Sequence, residues 1–278
     1  MPTTVGGMTT PPPPPGTEAH QHRQIAESFG TDAERYDRAR PRYPQALVDR
    51  VIAGCPGREV LDIGCGTGIV ARQFLAAGCR VLGVDPDARM AELARQSGVE
   101  VEVGRIEDWD PAGRLFDAAV AGQSWHWVDP VAGAAAAARA LRPGGRLTLF
   151  WNAVQPPTDL NEAFAEALHR ALPDMPFRMP ANTSAADAYV RGFGRVTGGL
   201  RDAGGFGEPE QWRYEWEWTY TRDAWLDWMP TTGVLTTAPQ EAVAQVLADA
   251  GAAIDAAGGS FTAQHTTVAL SAVRADAP

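Results

Sequence analysis

Val60-Leu61-Asp62-Ile63-Gly64-Cys65-Gly66-Thr67-Gly68 is the stretch of this chain richest in chemistry. Three glycines stand at alternate positions, and an acid, Asp62, lies two residues before the first of them. Glycine is needed where a chain turns sharply or where backbone must approach a ligand closely. A helical pattern starts at Ile69, and the free N–H groups at its beginning favour an anionic group such as a carboxylate or phosphate. Asp85 ends a second apolar run, 17 residues beyond Gly68. That is the place for a carboxylate that accepts both ribose hydroxyls of a nucleoside cofactor. A second constellation is Ser124-Trp125-His126-Trp127-Val128-Asp129, which follows another apolar run. His126 is there as a candidate general base or orienting group for a reacting molecule. The alternative is that it satisfies a local hydrogen bond while Trp125 and Trp127 pack the next helix.

Two cofactor classes share a strand–glycine-turn–helix arrangement. A nicotinamide or flavin enzyme shows Gly-x-Gly-x-x-Gly, whereas this chain has Gly-x-Gly-x-Gly. An acid at Asp62 suits a cofactor with a cationic amine and is out of place beside a pyrophosphate. S-adenosylmethionine carries an ammonium, a carboxylate, a ribose and an adenine, and each has a candidate partner here.

The elements that must position these residues alternate along the chain. Strand patterns cover 59–63, 80–84, 101–103, 116–121 and 146–151, and helical patterns cover 69–77, 87–96 and 130–141. Strands alternating with helices predict βαβ units, a mostly parallel sheet and helices on both of its faces. Ligands then sit outside the carboxyl ends of the strands. After Asn152 the rhythm breaks into a proline-punctuated helical insert, 155–206, of the length that functional lids have. Trp212, Tyr214, Trp216, Trp218 and Tyr220 then recur at every second residue, which fixes five rings to one face of a strand. Such a face is either core or the wall of a pocket, with Trp216 the candidate for the acceptor side. Helices at 223–228 and 239–257 and a final strand at 261–274 complete the pattern.

Composition removes other classes. All 24 basic residues are arginine, so Schiff-base chemistry, pyridoxal-phosphate attachment and a P-loop lysine are excluded. Against 34 acids the net charge is −10, which lacks the basic footprint of a nucleic-acid binder. Cys55, Cys65 and Cys79 cannot all pair and are too few for a disulfide framework. His20, His22, His169 and His265 join no metal cluster. Residues 1–20, with prolines at 11–15, read as a disordered leader with no signal-peptide pattern. No apolar run is long enough to span a bilayer, and the expectation is a cytoplasmic protein that does not engage membranes.

The ordered motifs VLDIGCGTG (60–68), GVDPD (83–87), VGRIEDW (103–109), FDAAVAGQSWHW (116–127) and LRPGGRLTLFWN (141–152) resemble those of class I S-adenosylmethionine-dependent methyltransferases. The upstream segment FGTDAERYDRARPRYP and the aromatic-rich C-terminal half resemble the small-molecule subgroup that includes trans-aconitate methyltransferases. The resemblance implies a Rossmann-like seven-stranded sheet with the last strand antiparallel, a domain over 21–278 with its core at 46–152, a helical lid insert at 155–206, and C-terminal strands and helices at 207–278. It implies S-adenosylmethionine as cofactor and a small-molecule acceptor. Asp62, Gly64 and Cys65 would line the methionyl amine, with Gly66 and Gly68 giving backbone clearance. Asp85 would hold the ribose hydroxyls, Pro86 would pack beside the adenine, and Ile106 and Glu107 would edge it. Gln123 and Ser124 would lie near the sulfonium, and Tyr36 and Arg40 would close over the cofactor carboxylate. Trp125 and Trp127 join Trp216 as acceptor-side candidates. Arg105 departs from the pattern, standing where relatives place a short acid. A nicotinamide-dependent oxidoreductase and a non-catalytic S-adenosylmethionine-binding protein are the alternatives.

Overall fold

The computed structural model describes residues 28–173 and 185–275. The proline-rich leader, His20 and His22 lie outside the described residues. Seven strands form one sheet in the order β3-β2-β1-β4-β5-β7-β6. They are β1 (Glu59–Ile63), β2 (Arg80–Asp85), β3 (Glu100–Val103), β4 (Phe116–Gly122), β5 (Leu141–Gln155), β6 (Glu210–Thr221) and β7 (Ser260–Val273). The pairs β1–β2, β1–β4, β2–β3 and β4–β5 are parallel, and the last strands run antiparallel. The mostly parallel sheet expected from the alternating pattern is therefore the one observed. Helices flank it: α1 (Ala33–Ala39), α2 (Gln45–Ala53), α3 (Ile69–Ala76), α4 (Ala88–Gln96), α5 (Pro130–Ala140), α6 (Thr158–Ala171), α7 (Ala185–Ala203), α8 (Arg222–Trp228) and α9 (Gln240–Ala256). No helix among the described residues is long and apolar enough to cross a membrane.

The chain divides into two compact units. The glycine-loop unit comprises, among the described residues, Pro41–Trp151, Gly192–Tyr214 and 267–275. Its β1 is buried on both faces, which is why it reads as an apolar run, with Asp62 as the polar exception. One cluster joins Leu47, Val48 and Val51 of α2 and Val70, Ala71 and Phe74 of α3 to Val60, Val81, Val120 and Phe150 of the sheet. Caps set the helix starts. Asp129 accepts the Val131 and Ala132 amides at 3.0 and 2.9 Å with Pro130 following, and Asp87 accepts the Arg89 amide at 2.9 Å.

β5 starts earlier than the pattern predicts. Leu141 already pairs with Phe116, the register then shifts, and Arg146 pairs with Ala118. Residues 142–145 bulge from the pairing with β4, and there the Gly144 amide donates to Arg274 O at 3.1 Å while the Arg274 amide donates to Gly145 O at 2.7 Å.

The aromatic unit comprises, among the described residues, 28–40, 152–173, 185–191 and Glu215–Thr266. Phe164, Tyr220, Trp225, Trp228, Met229 and Phe261 form its buried centre. Trp225 stacks on Trp228 at 4.5 Å and on Phe164 at 5.3 Å. Arg35 and Arg38 of α1 both bind Asp227 of α8. The five-ring strand keeps its two-residue period but not uniform burial: Trp212 and Tyr220 are buried, while Trp218 is 55 % exposed. β6 is the edge strand of the sheet, so nothing obliges every ring on its face to be covered.

Candidate functional site

The glycine loop leaves β1 and enters α3 with Gly64, Gly66 and Gly68 at φ of 66°, 53° and 84°, all in the left-handed region. Gly64 is doubly constrained, since a Cβ there would stand 2.5 Å from that of Ser124. The Gly64 amide bonds Val84 O at 2.8 Å, and the Gly66 amide donates to Asp85 Oδ2 at 2.7 Å. Asp85 Oδ1 accepts the Asp87 amide at 2.9 Å. Burial raises the Asp85 carboxyl to about 6, an upward push that the two amides partly offset.

Asp62 is the electrostatic anomaly of the unit. It is 1 % exposed, and both carboxylate oxygens are buried without a hydrogen-bond partner. Burial first, and the Asp85 charge second, push its carboxyl up to about 8, and the nearby Ala71 amide, which lies outside hydrogen-bond geometry, offsets only part. A buried carboxylate with no donor is costly unless a cationic or donating ligand completes it. An ammonium does that. The residues therefore fit S-adenosylmethionine: Asp62 for its amino group, Asp85 for a hydroxyl pair, and backbone without side chains between them.

Cys65 also lies in the loop, but its Sγ packs on Gly83, where an added Cβ would be 2.6 Å away. Burial pushes the thiol well above its ordinary value, so it is an inert packing group. Pro86 is exposed directly after Asp85, and Ile106 is buried. Glu107 accepts from Arg105 Nη2 at 2.9 Å and from the Asp129 amide at 3.1 Å. The Arg105 departure thus has a structural use: it holds Glu107, which ties the segment after β3 to the start of α5.

At the end of β4, Gln123 takes φ 59°, a strained conformation for a non-glycine residue, and its amide bonds Phe150 O at 2.9 Å. Ser124 Oγ donates to Ile63 O at 2.6 Å, joining this turn to the glycine loop. A short 3₁₀ turn, Trp125–Trp127, follows. Trp125 is buried against the place a Gly133 side chain would take, whereas His126 and Trp127 are half-buried with ring centroids 4.8 Å apart. Trp151 Nε1 donates to His126 Nδ1 at 3.2 Å.

Asp62, Gly64, Cys65, Gly66, Gly68, Asp85, Pro86, Ile106, Glu107, Gln123, Ser124, Trp125, His126 and Trp127 all belong to the glycine-loop unit. Tyr36, Arg40 and Trp216 belong to the aromatic unit. There Arg40 lies over the Tyr36 ring at 4.8 Å and donates to Thr231 O, and Trp216 stacks on His265 at 4.1 Å. Two residues near the site had no role assigned from sequence. Tyr43, clamped by Gln73 through its own amide and carbonyl, brings its hydroxyl beside Gly122. Trp151 stands near the carboxyl end of β5, a position that the strand-end rule for ligand sites could have flagged. Among the described residues no group of histidine, cysteine, aspartate and glutamate could hold a metal ion.

Comparison with known proteins agrees with this geometry. A methyltransferase-domain family model matches residues 60–145, the span from β1 to the start of β5. An uncharacterised methyltransferase of Mycobacterium tuberculosis is 37% identical over 132 residues, 47% of this chain and 54% of that protein. The chain thus spans about half the length of that relative. A demethylmenaquinone methyltransferase of a Mycobacterium species is 31% identical over 179 residues, 60% of this chain and 75% of that protein. The solved structure assigned as a type II methyltransferase of Anaeromyxobacter dehalogenans superposes with a TM-score of 0.61 at 28% identity, covering 84% of this chain and 97% of that one. With its seven-stranded sheet, its glycine loop and these relatives, the chain belongs to the class I S-adenosylmethionine-dependent methyltransferases.

Proposed function

We propose that this chain transfers the methyl group of S-adenosylmethionine to an oxygen, carboxylate or hydroxyl, of a small-molecule acceptor. The observation that supports it most is the buried, unpartnered Asp62 carboxylate beside the glycine loop, a site built for a cationic amine next to a nucleoside. Asp62 would hold the amino group and Asp85 the ribose hydroxyls, and the bare backbone of Gly64 and Gly66 lets the cofactor lie close. The bound cofactor supplies an activated methyl on a sulfonium, so the protein's work is alignment and exclusion of water. Gln123 and Ser124 fix the turn from which His126 and Trp127 would meet the acceptor. Charge supports a small acceptor over nucleic acid, since the chain is net acidic.

Calorimetric titration with S-adenosylhomocysteine and with NAD tests the cofactor. Binding of the former alone is expected, and tight NAD binding would overturn the reading. Incubation of labelled donor with carboxylic acids, phenols and polyketide-like alcohols tests the transfer. Label is expected on an oxygen; cofactor binding with no label transferred to any acceptor would make the chain a binding protein.

A further inference from the structure

A cavity of about 480 Å³ opens at the amino ends of the parallel strands, within the glycine-loop unit. The first residues of four strands border it: Glu59 of β1, Arg80 of β2, Glu100 of β3 and Phe116 of β4. The glycine loop leaves the other end of β1, so roughly 15 Å of strand lies between the two places. Arg114 and Arg142 add two more guanidiniums to the cavity wall. Arg114 is spent within the protein, with Nη1 and Nη2 on Glu102 at 2.6 and 3.0 Å and Nε on Pro111 O at 2.8 Å. Arg142 is held from one corner only, by Nη1 on the buried Asp117 at 3.0 Å. Arg80 gives Nε and Nη2 to one oxygen of Glu59. Among the described residues, Arg142 Nε and Nη2 and Arg80 Nη1 therefore have no acceptor.

We propose that this cavity is a second small-molecule site, separate from the cofactor's, and that it takes a phosphate monoester with an apolar body. The volume is that of a small-molecule pocket. The unspent N–H groups belong to two guanidiniums on two strands. A carboxylate offers one planar edge, which suits one fork, whereas the three oxygens of a phosphate can take bonds from both. The apolar body has a counterpart in Leu115, which borders the cavity beside Phe116 and is 41 % exposed. Glu100 opposes an anion from the same wall, and among the described residues its carboxylate makes no hydrogen bond or close ion pair. Its charge gives the proposal a test of sign.

The test is calorimetric titration of the full chain with phenyl phosphate, inorganic phosphate and benzoate, with and without S-adenosylhomocysteine. Phenyl phosphate is expected to bind once per chain, about tenfold more tightly than inorganic phosphate or benzoate. Its affinity is expected to stay within about twofold when S-adenosylhomocysteine is added, as for distant sites. Arg80→Gln should weaken phenyl phosphate about tenfold. Glu100→Gln should tighten it about threefold. Arg80 and Glu100 are both exposed, so these variants leave the core intact. Failure of phenyl phosphate to bind at millimolar concentration would overturn the proposal. So would equal binding of inorganic phosphate or benzoate, loss of binding on adding S-adenosylhomocysteine, undiminished binding by Arg80→Gln, or weaker binding by Glu100→Gln. None of these readouts involves methyl transfer, so the transfer assay and this site stand or fall separately.

Discussion

The Gly66 amide donates to Asp85 Oδ2 across 2.7 Å, so the carboxylate expected to hold the ribose also holds the loop that faces it. One group would thereby serve ligand and scaffold together. Asp85→Asn keeps the shape and removes the charge. Its affinity for S-adenosylhomocysteine is expected to fall at least about tenfold, the size of a lost charged hydrogen bond, as read by calorimetry.

Asp62 tilts stability with pH. Its folded pKa of about 8 lies above the ordinary carboxylate value, so the folded state binds the extra proton. Its contribution is greatest in acid and is lost as pH rises toward and through about 8. Asp62→Asn should therefore gain thermal stability over the native chain without ligand, by an amount that grows from acid toward pH about 8. The same variant should lose about ten- to a hundredfold in S-adenosylhomocysteine affinity. In the native chain, cofactor binding at neutral pH should release a proton, visible as buffer-dependent binding enthalpy.

Gly64 and Gly98 share a positive φ but not their surroundings. A Cβ at Gly64 would meet Ser124 at 2.5 Å, whereas one at Gly98 meets nothing within 4 Å. Gly98→Ala should cost about 1 kcal/mol from backbone strain alone. Gly64→Ala should cost about 2 kcal/mol more through the clash. Denaturant unfolding of the two variants separates these costs.

Glutamine at position 126 keeps a hydrogen-bonding side chain and has no basic nitrogen. Once an acceptor is in hand, His126→Gln should keep kcat/KM within about tenfold of the native chain, with His126→Leu losing about tenfold more. A base at this position would instead make both variants fall together, by about a hundredfold or more.

His265 is buried in the aromatic unit with Nε2 at 3.2 Å from the Tyr220 hydroxyl, and burial pushes its pKa down to about 4. The unfolded chain takes up the proton first as pH falls below the ordinary histidine value, so this group drains stability progressively down to about pH 4. Denaturation curves of His265→Gln across that interval should show a shallower loss than those of the native chain.

Much of the glycine-loop unit was legible in the chain because its signals are local. Strand, glycine turn and helix follow one another within a dozen residues, and the βαβ rhythm repeats the pattern. The five-ring period of β6 was equally visible. Its uneven burial was not, because exposure of Trp218 depends on β6 lying at the sheet edge. Tyr43 beside Gly122 and Trp151 against His126 escaped for the same reason: each pair is assembled by topology, from segments far apart in sequence. The early start of β5 depends on the Arg274 backbone, which lies more than a hundred residues downstream.

Ser124 Oγ bonds Ile63 O, and Gly64 leaves no room between them. The turn that presents His126 is thereby fastened to the loop that would cradle the cofactor. For anyone redesigning acceptor choice, the two cannot be tuned apart at this joint. New specificity would have to be written from Trp127 outward, with Gly64 and Ser124 kept as a fixed hinge-pin around which a library is built.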